Sequence, residues 1–344
     1  MERVLITGAT GLIGSHIAEY FADKGLRPVC MVRQGSKIDF LKTINVEIVT
    51  GDISDIRSLE KVLGTGFDFV IHTAAKVGDW GRYEDFYNAN VEGTLNVLRT
   101  AKLYKIDNII ITGSISCYGE EPNQKVKDET HPYNSHYNYF LDSIFPSGMN
   151  YYRDTKAEAG IRAIEYAKEN KLNLTILHPA WVFGEREFHS GFYDFLSTIK
   201  SGITLVPGSA KNKFHTIYAR DLSAIYYLAY KKRLSVINEF LAVSPVAENQ
   251  YKLFNMFCEK AGYKLPRRIS KSVIYFPAFF TELFYTIFRI KSVPLISRAR
   301  VNIFYDNIEY SSAKLISQLG FSSRYTLEES VENTVRWYKE NHYL

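Results

Sequence analysis

A phenol, an ammonium and a hydroxyl are the side chains of this sequence best suited to moving a proton at a carbon–oxygen bond. The first two lie in "NYYRDTKAEAG", where Tyr152 precedes Lys156 by four residues. That interval places both on one helix face, whereas Tyr151 is rotated away from it. A phenol ordinarily titrates near ~10, too high for acid–base work at neutral pH. An adjacent ammonium favours the phenolate and is expected to bring that value down. The hydroxyl is Ser114 of "ITGSISCYG", which closes an apolar run. It therefore falls at the carboxyl end of a strand, where open parallel sheets bind their ligands. The set could hold a carbinol or carbonyl oxygen and pass a proton while hydride moves to or from a nicotinamide. YxxxK alone is common in helices, so its weight depends on what precedes it.

What precedes it is a glycine turn. "TGATGLIGS" carries Gly8, Gly11 and Gly14 directly after an apolar strand and at the start of a helical pattern. The spacing is GxxGxxG, and its context is that of a phosphate-binding turn. Gly8 permits a tight turn, Gly11 a close approach of backbone to a pyrophosphate, and Gly14 close helix–strand packing. Backbone around Thr10, Leu12 and Ile13 then faces the diphosphate with free N–H groups and the helix dipole. The second strand ends at Arg33, with Ser36 and Lys37 close behind. An arginine there pairs with a 2′-phosphate, so NADP is favoured and NAD is the alternative. Asp52 of "GDIS" could accept from the adenine amino group, with Ile53 packed on the ring; an ordinary turn or capping aspartate is the competing reading. The fourth strand ends in "HTAAK", so Thr73, Ala74, Ala75 and Lys76 meet the cofactor ribose, and His72 is read as a packing residue. Thr112 sits at the matching end of the fifth strand.

Elements must hold these residues at one edge. Apolar runs "RVLIT", "PVCMVR", "VEIVTGD", "FDFVIHTAA", "NIIITGS" and "LNLTILHPA" alternate with amphipathic stretches, among them "EDFYNANVEGTLNVLRTAKLY" and "YYRDTKAEAGIRAIEYAKEN". That alternation predicts an α/β, doubly wound parallel sheet covered on both faces. Residues 1–180 form the dinucleotide-binding unit, to which some later segments return. Residues 181–344, where short strands mix with helices and aromatics, form mainly a smaller C-terminal α/β substrate-binding lobe. The stretch from Glu120 to Asn150 reads as a long loop, a feature often tied to function.

Bulk composition fits a soluble globular chain: 344 residues, 46% hydrophobic, 23% charged, net charge +5. The lysines are scattered, so nucleic acid is not implied; a mildly basic surface suits an anionic cofactor or membrane face. Cys30, Cys117 and Cys258 are isolated and show neither disulfide nor metal spacing, which fits a reducing, cytoplasmic setting. The opening "MERVLITGATG" does not have the pattern of a signal peptide. "VIYFPAFFTELFYTIFRI", residues 273–290, approaches membrane-span length but is interrupted by Pro277, Thr281, Glu282 and Arg289. A buried or lid helix is the leading reading, and peripheral membrane contact the next.

In order along the chain, "TGATGLIG", "GDI", "HTAA", "NVEGT", "GSISCYG", "YYRDTK" and "HPAWVFG" resemble the extended short-chain dehydrogenase/reductase family, the NAD-dependent epimerase/dehydratase superfamily. The likeness covers the first ~185 residues, far beyond a single motif. It implies a Rossmann fold with Tyr152 as the acid–base residue, Lys156 as its partner and Ser114 as the catalytic serine. It further implies that Asn90 supports the site and that Pro179, Ala180 and Val182 line the nicotinamide. "VGDWGRYEDFYNANVEGT", "FHTIYARDLSAIYYLAY" and the C-terminal "YSSAKLISQLGFSSRYTLEESVENTVRWY" are similar to the 3β-hydroxysteroid dehydrogenase and 2-alkyl-3-oxoalkanoate reductase group, with likeness also to dihydroflavonol reductases. The aromatic-rich second half suits a hydrophobic small-molecule substrate, sterol-like or lipid-derived, with an ordinary aromatic core as the competing reading; the resemblance implies a homodimer through paired long helices.

There are departures. Gly113 replaces a serine common in the family, which leaves the oxygen clamp to Ser114 alone. The insertion "SHYNYFLDSIFPSGMN" lengthens the path from Ser114 to Tyr152 and is expected to form a flap over the substrate. A nucleotide-sugar epimerase or dehydratase with retained NAD is the second functional reading, with Arg186 and Arg220 as pyrophosphate candidates. A non-catalytic, cofactor-sensing protein on the same fold is the third.

Overall fold

In the computed structural model, residues 2–119, 125–188, 191–203, 205–208 and 211–344 are described. Seven strands form one sheet: β1 (Val4–Thr7), β2 (Val29–Val32), β3 (Glu47–Thr50), β4 (Phe69–His72), β5 (Asn108–Thr112), β6 (Asn173–Pro179) and β7 (Ile237–Ala242). Their spatial order is β7-β6-β5-β4-β1-β2-β3. All neighbours run parallel, so every carboxyl end emerges at one edge. This is the doubly wound α/β architecture that the alternating pattern implies. β7, drawn from the second half of the chain, completes the sheet beside β6.

The strands are short, and the central ones, β1, β2 and β4, are buried along their whole length and mostly apolar because both faces are covered. Alternate residues of β1 divide between two cores: Val4 and Ile6 face one, Leu5 the other. On the first face pack α1 (Leu12–Asp23), through Ile17, Ala18 and Phe21, and α7 (Ala219–Lys232), through Leu222, Ile225, Tyr226 and Ala229. On the second pack α2 (Ile56–Leu63), α4 (Gly93–Leu103) and α5 (Gly148–Asn170), the last through Ala159, Ala163 and Ala167. The stretch before α4 is one helical run with a change of pitch. α3 (Tyr83–Tyr87) passes into a π turn, Asn88–Glu92, and then into α4. Such wide turns often sit at functional sites, and this one carries Asn90.

Beyond β6 the chain builds small pairs: Trp181–Phe183 with Thr216–Tyr218, Lys213–Phe214 with Glu248–Asn249, and Leu205–Pro207 with Arg267–Ile269. α6 (Gly191–Lys200), α8 (Gln250–Ala261), α9 (Lys271–Ile287), α10 (Arg298–Asn302) and α11 (Leu327–Glu340) surround them. Many aromatics here are core. Phe192 and Phe257 stack with centroids 4.0 Å apart, and Phe183 meets both edge-on. The long loop read from Glu120 onward is irregular over 125–147, and residues 120–124 lie outside those described.

Candidate active site

The glycine turn is built from contacts that allow no side chain. Gly8 has φ +73°, and a Cβ there would stand 2.6 Å from the Ala74 amide nitrogen and 2.7 Å from Thr73 Oγ1. A Cβ on Gly14 would stand 2.3 Å from the Gly8 carbonyl oxygen. Gly11 is different: its Cβ would meet only that oxygen, at an ordinary 3.4 Å. Its bareness matters to what approaches from outside. Gly11 begins α1 with no side-chain cap, so the first-turn amides, which lack intrahelical partners, remain available to an anion. Leu12 and Ile13 flank these amides, and Ile13 is half-buried, as is Thr10.

Beside this turn lies a cleft of about 480 Å³ between the ends of β2 and β3, lined by Arg33, Gln34, Gly35, Ser36, Thr50, Gly51, Asp52 and Ser58. Arg33 is exposed, and its guanidinium makes no hydrogen bond among the described residues. Lys37 does not line the cleft. Asp52 Oδ1 accepts from the Ser54 amide at 2.9 Å and the Ser54 hydroxyl at 2.7 Å. These bonds, helped by the Arg33 charge, hold the Asp52 carboxyl below its usual range. Asp52 therefore shapes its own turn, while Asp55 caps α2. Ile53 lies against Gly93, where a Cβ would meet Ile53 Cδ1 at 2.7 Å.

At the end of β4, Thr73 donates its hydroxyl to the Thr7 carbonyl at 2.7 Å, which fixes the chain leading to Ala74 and Ala75. Lys76 is anchored by Asn90, whose Oδ1 accepts from the Lys76 amide at 2.8 Å. Asn90 Nδ2 donates to the Lys76 carbonyl and to Thr155 Oγ1, both at 3.1 Å. Asn90 thus braces the β4 loop against α5 and acts through its neighbours. His72 is buried, with Nδ1 2.7 Å from Thr7 Oγ1 and Nε2 3.1 Å from Thr94 Oγ1. Burial pushes it down to about 3, and it is a neutral packing residue.

Ser114, Tyr152 and Lys156 come together. The Ser114 side chain lies beside the Tyr152 phenol and favours its ionised form. Ser114 Oγ accepts from the Ser116 hydroxyl at 2.7 Å and the Ser116 amide at 3.2 Å. Lys156 Nζ donates to the Thr112 carbonyl at the end of β5, and Thr112 Oγ1 lies 2.6 Å from the Tyr226 hydroxyl. Tyr151 instead meets Tyr83 edge-on, centroids 5.6 Å apart, so the helical phase separates the two tyrosines.

The structure corrects one expectation. Sequence spacing predicts that the lysine lowers the Tyr152 phenol, but burial pushes that phenol up to about 12, with only the neighbouring Ser114 opposing it. Burial also brings Lys156 down to about 8. The ammonium is turned to a carbonyl, and desolvation dominates both groups.

Sequence reasoning missed what lies behind Ser114. A Cβ on Gly113 would fall 2.3 Å from His178 Nδ1, which explains the glycine at this position. His178 Nδ1 lies 3.2 Å from the Ser114 carbonyl oxygen and Nε2 3.1 Å from Glu239 Oε2, and Tyr133 donates to the same carboxylate. The signal was present in the pairing of Gly113 with the histidine of "HPAWVFG". Next to it, Pro179 ends β6 opposite Ala242, Ala180 is buried, and Val182 pairs with Ile217.

Arg186 and Arg220, the diphosphate candidates, are committed internally. Arg186 donates to Ser15 Oγ at 3.1 Å and Glu19 at 2.7 Å and stacks on Phe40; Arg220 is held by Glu185 at 2.9 Å. The insertion packs onto α9 and α10. Phe140 meets Phe276 and Phe279 edge-on, and Arg298 donates to the carbonyls of Phe140 and Phe145.

A glycine turn that opens α1 and a Ser–Tyr–Lys set at the same edge of a parallel sheet define a dinucleotide-binding, Rossmann-like α/β protein. The NAD dependent epimerase/dehydratase family model matches residues 4–239, and the chain belongs to that family of enzymes. An N-acetyl-α-D-glucosaminyl-diphospho-ditrans,octacis-undecaprenol 4-epimerase of Escherichia coli O157:H7 is 25% identical over 98% of this chain and 95% of its own length. A 2-alkyl-3-oxoalkanoate reductase of Stenotrophomonas maltophilia is also 25% identical, over 67% of this chain and 65% of its own. Among solved structures, gox2253 superposes with a TM-score of 0.81 at 24% identity over the full length of both chains. WbmH of Bordetella bronchiseptica, in complex with NAD+, gives 0.75 at 21% identity over 99% of each.

Proposed function

We propose that this enzyme moves hydride between NADP and the hydroxyl or ketone of a hydrophobic, sterol-like or lipid-derived molecule. The observation that carries the reading is the gathering of Ser114, just after β5, with Tyr152 and Lys156 of α5 at the sheet edge that also holds the glycine turn. The residues present fit a dinucleotide: Gly8 and Gly14 leave a turn no side chain can fill, and α1 presents uncapped amides.

In this reading the diphosphate rests on backbone at Thr10, Gly11, Leu12 and Ile13. Arg33, with Lys37 nearby, meets the 2′-phosphate, and Asp52 and Ile53 meet the adenine. Thr73, Ala74, Ala75, Lys76 and Thr112 face the ribose, while Pro179, Ala180 and Val182 border the nicotinamide. Residues 1–180 and β7 make up the cofactor unit, and 181–344 mainly the substrate lobe. When bound, the nicotinamide supplies or accepts the hydride. Ser114 keeps its proton and donates a hydrogen bond to the substrate oxygen. Tyr152 then gives its proton to that oxygen in reduction or removes one in oxidation. A phenol raised to about 12 is protonated at neutral pH and holds the proton that reduction requires. Lys156 holds the ribose; Asn90 positions the β4 loop. Peripheral membrane contact through residues 273–290 and a homodimer are proposed alongside this reading and are independent of it.

The second reading, a sugar-diphosphate epimerase or dehydratase with retained NAD, is favoured by the Escherichia coli relative, which spans almost the whole chain. The internal pairing of Arg186 and Arg220 weighs against it. Purification followed by a ketone and nucleotide-sugar panel, read by nicotinamide absorbance, separates the two. Exchangeable NADPH oxidised only with a ketone supports the reductase. Tightly retained NAD without net turnover, with sugar interconversion, contradicts it.

A further inference from the structure

α9 is amphipathic in the reverse sense from an ordinary surface helix. Its sole acid, Glu282, is buried and bound to Arg298, with Oε2 2.8 Å from Nε and 3.0 Å from the Arg298 amide, and Oε1 3.0 Å from Nη2. Ala278 and Phe279 are the other buried side chains of this inward face. The outward stripe is Val273, Phe276, Phe280, Phe284 and Ile287, at intervals of three and four residues. Each is between 53% and 61% exposed. Phe288, Val293 and Leu295 continue the exposed apolar surface beyond the helix. The insertion extends it laterally: Phe140 touches Phe276, and Leu141 and Ile144 are exposed beside it in the chain. A soluble surface rarely leaves such a contiguous apolar area without a partner.

Charge says what the partner is. From Ala261 to Tyr305 the only acidic residue is Glu282, which is turned inward. Lys264, Arg267, Arg268, Arg289 and Lys291 are exposed on either side of the stripe in the chain. An apolar face flanked by cations and free of exposed carboxylates complements an anionic lipid surface. Among the described residues no helix is long and apolar enough to cross a membrane. At 17 residues α9 is about 25 Å long, which suits lying in the interface plane.

We propose that α9 and the Phe140–Ile144 edge of the insertion form a docking surface for an anionic bilayer, with the phenylalanine stripe inserted at the headgroup boundary. The surface rests on its own geometry, and its test reads no turnover, so its failure leaves the hydride-transfer reading untouched.

The test is co-sedimentation of the full chain with phosphatidylcholine vesicles, with and without about a third phosphatidylglycerol, at low and high salt. The expected result is binding to the anionic vesicles, at least about tenfold weaker on phosphatidylcholine alone or at high salt. The triple variant Phe276→Ser/Phe280→Ser/Phe284→Ser should lose at least about tenfold with its melting temperature kept. Arg289→Ala/Lys291→Ala should lose about tenfold on anionic vesicles only. Absence of wild-type binding to either vesicle overturns the proposal. So does a wild-type dimer, without vesicle binding, that the triple variant turns into a monomer, since a second copy then covers the face.

Discussion

Replacing Lys156 by methionine keeps the buried stem and removes the ammonium. Burial lowers this group from 10.5 to about 8. At about 1.4 kcal/mol per tenfold change in proton affinity, carrying the charge at pH 7 costs the fold about 3 kcal/mol. The variant escapes that cost but strands the Thr112 carbonyl, worth ~1–3 kcal/mol. The variant is therefore expected to be as stable as the wild type at pH 7 or more so, by roughly 1 kcal/mol. The pH dependence is sharper. The folded value lies below the unfolded one, so between about 8 and 10.5 the unfolded chain binds more protons and wild-type stability rises with pH. The variant lacks this rise, and any contribution from Tyr152 is common to both proteins. Urea unfolding of cofactor-free protein should show the wild type gaining about 2 kcal/mol on the variant between pH 7 and about 9.5. A difference that does not move with pH would refute the desolvation argument.

Arg33→Ala is expected to weaken NADPH binding about tenfold, the lower end for a charge-assisted bond at an exposed site, and to leave NADH within about twofold. Equal losses in a fluorescence titration of both would mean that Arg33 does not read the 2′-phosphate. Gly8→Ala forces a Cβ onto the Ala74 amide at positive φ and should cost ~1–3 kcal/mol or more in thermal unfolding, with lowered dinucleotide affinity. Arg298→Met leaves Glu282 buried without its partner and should cost ~3–5 kcal/mol. Adding Glu282→Leu should restore much of that loss, and a double variant as unstable as the single would contradict the ion-pair account.

The sheet was legible because covered strands such as "RVLIT" and "FDFVIH" have no reason to be polar on either face. The glycine turn was legible because Gly8 and Gly14 touch main chain, a constraint that leaves glycine as the residue of choice. Tyr152 was separable from Tyr151 by helical phase alone. The sign of its titration was not, since distance in sequence says nothing about desolvation or about where a lysine points. Nor were the long-range partners readable. His178 against Gly113, Glu239 from β7, and Arg186 clamped to Glu19 each join segments far apart in the chain, and only packing brings them together. The stripe on α9 was visible as apolar length, but the burial of Glu282, which decides which face looks outward, was not.

The most direct measurement is hydride transfer by Tyr152→Phe, with cofactor affinity determined on the same protein. The phenyl ring keeps the packing beside Ser114 and removes only the proton that the reaction requires. Turnover should fall by roughly 10²–10⁴ while the dinucleotide dissociation constant stays within about twofold. Turnover at the wild-type rate would show that the proton comes from elsewhere and would contradict the joint action of Ser114, Tyr152 and Lys156 at the substrate oxygen.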